Sequence, residues 1–260
     1  MSSSDVDLHV QYRIANAPML EFPYPHIYVR DIFPQDFYAR LRANLPSEAH
    51  LRTLRSMGRV ADDYPDTRLV MPLRHEHTAK LEPAQRAFWE ELMGWMRGPR
   101  FGELMIAKFA LYLQHRFNDL RAQRFGDEAL VVRDRTTYSL PPHTDAQDKV
   151  LSFLFYLPPD ASMAPLGTSL YAPKEPGFTC QGGMRHPFEH FRRVHTMEYL
   201  PNTLFAFMKT NDSFHGVEPI TQPAVQRDLL LYDIKVQQTQ QGVRPGATAA
   251  DDASRIKFSF

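Results

Sequence analysis

The stretch PPHTDAQDKVLSFLFYLPPD, residues 141–160, governs how the whole chain is interpreted. Lys149–Leu157 is a short apolar run closed by prolines, the length of a strand and far too short to span a bilayer. On a strand, residues i and i+2 point to one face. His143 and Asp145 can therefore reach the same ion, and Ser152, Leu154 and Tyr156 share one side of the following strand. Alone the His-x-Asp pair carries little weight, because a chain with 11 histidines meets it by chance.

On either side of this stretch, runs of the same type occur at LVVRDRTTYSL (130–140), TLFAFM (203–208) and RDLLLYDI (227–234). Pro, Gly and Asn-Asp segments divide them, not helices, which points to an antiparallel sandwich or barrel. Before residue 126 the pattern is helical. FPQDFYARLRANLP carries Phe33, Phe37, Leu41 and Leu45 on one face between two prolines. Further helices are expected over Glu82–Met96 and from Phe101 to about Phe117. A short β segment is expected over Phe22–Phe33, and the segment 52–80 is charged and irregular. The division expected is an N-terminal arm (1–20), a helical buttress (21–125), a β core (126–236) and a flexible tail (237–260).

His215 stands 70 positions after Asp145, beyond an apolar strand and an Asn-Asp turn, and Arg227 lies 12 further on. Two histidines and one carboxylate on one side of an ion leave coordination positions open, the arrangement of non-haem Fe(II) oxygenases. A bidentate 2-oxo acid has to be held at its far carboxylate, and an arginine fork suits that through two parallel bonds.

PPHTD, KVLSFLFYLPPD, GTSLY, PNTLFAFMKTNDSFHGVEPI and RDLLLYDI together resemble the Fe(II)/2-oxoglutarate-dependent dioxygenases, in their prolyl-hydroxylase-like branch. The resemblance covers about residues 130–236 and the helix opening at Asp31. It implies a fold that is mainly β with flanking α, a double-stranded β-helix or squashed jelly roll with iron at its mouth. It implies His143, Asp145 and His215 as iron ligands and catalytic centre, with Fe(II), 2-oxoglutarate and O2 as cofactor and cosubstrates. Arg227 matches the residue that holds the 2-oxoglutarate distal carboxylate, with Tyr156, and secondarily Tyr138, as its hydroxyl partner. The Gly-Gly many hydroxylases carry after that strand is Leu166-Gly167-Thr168 here, and Asp145 favours hydroxylation over halogenation.

The expected substrate is a small molecule or carbohydrate, with protein prolyl-type hydroxylation as the second possibility. The same three ligands would also suit a zinc hydrolase or a non-catalytic cupin-like metal-binding module, and Arg227 speaks against the module. Thirty basic against 30 acidic residues give no net charge, which argues against binding to nucleic acid or an anionic membrane. MSSSDVDLHV has neither a basic nor an apolar leader region, and a single cysteine, Cys180, excludes an internal disulfide, so a cytoplasmic location is expected. His186, His190 and His195 are a weaker metal candidate, read as polar residues of a loop at 160–195 that, with 52–80, frames the pocket entrance.

Overall fold

The computed structural model describes residues 3–60 and 64–237 and the backbone of 255–256. The tail expected over 237–260 otherwise lies outside these residues. Six helices precede the main β region: α1 (Ser3–Ala15), α2 (Gln35–Ala43), α3 (His75–Thr78), α4 (Pro83–Met96), α5 (Pro99–Lys108) and α6 (Ala110–Arg116). The strands are β1 (His26–Arg30), β2 (Arg52–Thr53), β3 (Arg68–Pro72), β4 (Phe125–Arg135), β5 (Leu140–His143) and β6 (Lys149–Tyr156). They continue with β7 (Thr168–Pro173), β8 (Phe191–Met197), β9 (Thr203–Met208), β10 (His215–Val217), β11 (Gln226–Val236) and β12 (Arg255–Ile256).

Among the described residues the strands form two antiparallel sheets. The major sheet has eight strands in the order β1-β9-β6-β11-β4-β3-β2, with β12 also against β4; the minor sheet has four, β5-β10-β7-β8. The middle of the major sheet is apolar on both faces. Leu230, Tyr232 and Ile234 of β11, with Leu151, Phe153 and Phe155 of β6, face the helices. Alternating with them, Leu229 of β11, Tyr156 of β6 and Phe205 and Phe207 of β9 face the minor sheet. Burial on both sides explains why these strands are unbroken hydrophobic runs in the sequence.

The helices cover the outer face. α4 and α5 each begin with proline, whose missing N–H costs nothing in a first turn. Phe101 at the start of α5 is fully buried, with its ring edge-on to Tyr232 at 5.4 Å. The single helix expected over Phe101–Phe117 is two helices, with the fully buried Phe109 at the bend between them.

Two further differences from the sequence expectation concern short or diluted patterns. Residues expected as an arm form α1, whose Val6, Val10 and Ile14 bury one stripe in the same core as α4 and α5. Ser3 Oγ donates to Glu91 Oε1 at 2.7 Å, and Lys108 Nζ donates to the carbonyl of Ala15 at 3.0 Å. Leu8 and Tyr12, exposed between the stripe positions, blur it in the sequence. Within the irregular segment 52–80, five residues make β3, paired with β4 in register. No helix among the described residues is long and apolar enough to cross a membrane.

Phe101→Ala should lower the free energy of unfolding by about 3–5 kcal/mol, the range for truncating a fully buried phenylalanine. Urea denaturation measures it; a loss below about 1 kcal/mol would show that the helical layer is not coupled to the sheet.

Candidate metal centre and its cavity

His143 closes β5 and His215 opens β10, and the two are direct partners in the minor sheet. Each ring is fixed from behind by a carbonyl two residues earlier. His143 Nδ1 lies 3.0 Å from the oxygen of Pro141, and His215 Nδ1 lies 3.0 Å from that of Ser213. Both Nδ1–H groups are thereby used, which leaves both Nε2 atoms as ligands. The ring centroids are 4.4 Å apart, and His215 also packs on Phe207 at 4.5 Å. Asp145 completes the group, with Oδ1 3.9 Å from His215 Nε2. One ligand atom from each of His143, Asp145 and His215 lies within 4.8 Å of the others, the only such grouping among the described residues.

Asp145 is held in place from two sides. Ser152 Oγ donates to its Oδ2 at 2.7 Å, and Lys149 Nζ to its Oδ1 at 3.2 Å. Lys149 is itself shared with Asp233 Oδ2 at 3.0 Å. The loop behind fits closely. Gly182 has φ +139°, and a Cβ there would stand 2.1 Å from the Asp145 carbonyl oxygen, so only glycine lets this loop lie against the ligand.

Protonation follows from these contacts. Burial pushes the Asp145 carboxyl up, but Lys149, the two histidines and the Ser152 hydroxyl outweigh it and hold the group below the usual carboxylate range. Burial, reinforced by His215, lowers His143 to about 3, and burial also lowers His215. An ionised carboxylate and two neutral imidazoles are the forms that bind a cation.

The three side chains open on a narrow cavity of about 70 Å³ whose walls also include Arg227, Arg68, Lys149, Ser152 and Leu154. Arg227 is fully buried. Its Nη1 donates to Asp134 Oδ2 at 2.6 Å and its Nε to the carbonyl of Leu166 at 2.6 Å. Tyr156 stands behind this arginine, 5.7 Å from its guanidinium, and its hydroxyl accepts the Thr168 N–H at 3.2 Å. Leu154, two residues earlier on the same face, reaches the cavity instead. Tyr138 is buried under the Arg68 guanidinium at 4.4 Å, with its hydroxyl 3.3 Å from that of Tyr64. His186 packs among Phe178, Phe191 and Phe214, and the His186/His190/His195 set does not converge on a metal position.

Sequence pattern alone gives Arg68, Lys149, Ser152 and Asp134 no part in the site. Arg68 and Asp134 carry a faint signal, since RLVMP is an apolar run opened by the arginine and VVRD ends one, but their pairing needs the register. Because folded His143 stays neutral down to about pH 3 while the unfolded side chain takes a proton near 6.5, stability should fall as pH drops from 7 to 5. The loss expected from this histidine is about 2 kcal/mol. Urea unfolding of metal-free protein at the two pH values, beside His143→Asn, checks it; equal pH dependence in both proteins would contradict the neutral imidazole.

No protein-family model and no curated protein matches the chain. Solved structures do. One is a prolyl-4-hydroxylase from Pseudomonas putida, 14% identical, covering 88% of this chain and 99% of its own, with a TM-score of 0.52. Another is the non-haem alpha-ketoglutarate-dependent epimerase SnoN of nogalamycin biosynthesis, 12% identical over 98% of this chain and 97% of its own, with a TM-score of 0.51. At such identities the likeness is one of architecture: this protein, with its two antiparallel sheets and helices packed on the larger one, has the double-stranded β-helix fold of the 2-oxoglutarate-dependent oxygenases.

Proposed function

We propose that the protein is a non-haem Fe(II)/2-oxoglutarate-dependent oxygenase that hydroxylates a small-molecule or glycan substrate. The observation that carries this is one cavity bearing, on one wall, two imidazole Nε2 atoms and a carboxylate, and on another a buried arginine. His143, Asp145 and His215 would hold the metal, leaving open positions for a bidentate ligand and O2. Arg227 would hold the distal carboxylate of the 2-oxo acid. Bound together, the iron and 2-oxoglutarate would supply oxidising power through decarboxylation to succinate and CO2, directed at an unreactive C–H bond.

The chain's own part is orientation and exclusion of water. The Pro141 and Ser213 carbonyls fix which imidazole nitrogen faces the ion, and Ser152 with Lys149 keeps the Asp145 carboxylate turned toward it. Phe207, Leu154 and Leu231 supply the apolar part of the cavity wall. A zinc hydrolase needs no buried guanidinium at this place, which favours the oxygenase. Residues 126–236, joined by β1 and by β3 with its Arg68, would form the catalytic core and the helices of 21–125 its buttress, in a cytoplasmic protein.

Support for a small polar substrate comes from a cleft of about 770 Å³ on the segments that flank the triad. Gln147 follows Asp145 by two residues, Gln181 adjoins Gly182, and Lys209 and Asn211 lead toward His215; Tyr24 and Tyr112 add aromatic surface. Amides, an ammonium group and tyrosines suit a hydroxylated ligand, and the volume lies in the small-molecule range.

Metal-free protein titrated anaerobically with Fe(II) and then 2-oxoglutarate should develop a weak visible charge-transfer band that O2 discharges with formation of succinate. His215→Ala should give no band. Iron binding without the band in the native protein would remove the oxygenase assignment. Ser152→Ala should weaken Fe(II) binding by about 10–100-fold, the usual cost of removing a group that orients a metal ligand, while the far-UV spectrum is unchanged. An unchanged iron affinity would show that the Ser152 bond does not orient Asp145.

A further inference from the structure

Three neighbouring strands carry charge at one level of the barrel interior. Arg68 on β3 and Arg227 on β11 are both register partners of Asp134 on β4. Asp134 is fully buried and takes a fork from Arg68, Nε to Oδ1 at 2.6 Å and Nη2 to Oδ2 at 2.9 Å, besides the 2.6 Å bond from Arg227. Two guanidiniums on one carboxylate leave the cluster with one positive charge in excess. Uncompensated charge away from water is costly, so the cluster is built to receive a second anion.

The place for that anion is the cavity of the metal triad, which both arginines line. Arg227 is the more committed of the two. It spends Nε on Leu166, Nη1 on Asp134 and Nη2 on Thr168, three of the five N–H groups of a guanidinium. The Arg68 fork uses two, and the group is braced from below by the Tyr138 ring. Arg68 also lines the cavity together with His143, Asp145 and His215.

We propose that Arg68 is a second binding residue for the 2-oxo acid: Arg68 and Arg227 form a two-guanidinium cradle for its distal carboxylate, with Asp134 orienting both. The inference rests on the oxygenase assignment above and deepens it. It implies selection for dicarboxylic over monocarboxylic 2-oxo acids, because only the former bring the second anion. It also gives Tyr138 and Tyr64 a positioning part, as the surface on which Arg68 lies.

The test is calorimetric titration, without O2, of Fe(II)-loaded protein with 2-oxoglutarate and with 2-oxobutyrate, which lacks the distal carboxylate. Arg68→Gln should weaken 2-oxoglutarate by about tenfold or more while leaving 2-oxobutyrate within about twofold and Fe(II) affinity unchanged. Arg68→Lys, which keeps the charge and loses the fork, should show a smaller loss confined to 2-oxoglutarate, and serves where the glutamine variant does not fold. Equal weakening of both acids would mean that Arg68 acts only through the packing of Asp134, and no weakening of either would remove it from the site; each overturns the proposal and leaves the oxygenase assignment standing. Failure of the native protein to bind either acid overturns the assignment itself.

Discussion

The central strands of the major sheet are buried on both faces, and that constraint governs the rest of the molecule. A polar group placed in such a sheet has no water to fall back on, so it has to find a partner inside or be absent. Most positions of β6, β9 and β11 meet the condition by being apolar. Apart from Thr203, whose hydroxyl donates to the Pro201 carbonyl, the exceptions on the inner face are the residues of interest: Ser152, Asp233 and Arg227, with Asp134 on the adjacent β4. Each is tied to another of the same small set, to Lys149, or to the candidate metal group beside it.

These exceptions form two clusters that lean on the cavity from opposite ends. At one, Lys149 joins Asp145 to Asp233, so the carboxylate meant for a cation is kept ionised by an ammonium group that is itself shared. Burial raises the Asp233 carboxyl, with Lys149 opposing, and its Oδ1 has no partner of its own. At the other end, Asp134 is claimed by two arginines. One end is thus prepared for a cation and the other for an anion, with Leu154 and Leu231 between. A ligand carrying both demands, a metal chelated by a dicarboxylic acid, matches that polarity along the cavity.

How much of this is legible in the sequence follows from the same constraint. Strands buried on both faces leave long apolar runs, so β4, β6, β9 and β11 can be found, and with them the flanks of His143, Asp145, His215 and Arg227. Strands of the minor sheet are short or half exposed; β10 has three residues, and its existence depends on pairing with β5 and β7. Alternation correctly puts Ser152, Leu154 and Tyr156 on one face. It cannot say that Leu154 reaches the cavity while Tyr156 is turned behind Arg227, because that depends on how the two sheets close on each other. Arg68 is concealed for a different reason: a charged residue in a charged segment has no contrast, and its partner lies 66 positions away.

The direct pairing of His143 with His215 has a consequence for the mechanics of the fold. β5 and β10 are among the shortest strands, and β10 is the link between β5 and β7 in the minor sheet. An ion gripped by both histidines would act as a clasp across that weak seam, adding binding free energy to whatever the few backbone bonds provide. At an ion concentration 100 times its dissociation constant the gain is about 2.7 kcal/mol. The same atom that serves chemistry would then also set how often the smaller sheet breathes open, so metal supply would govern the lifetime of the protein as well as its turnover.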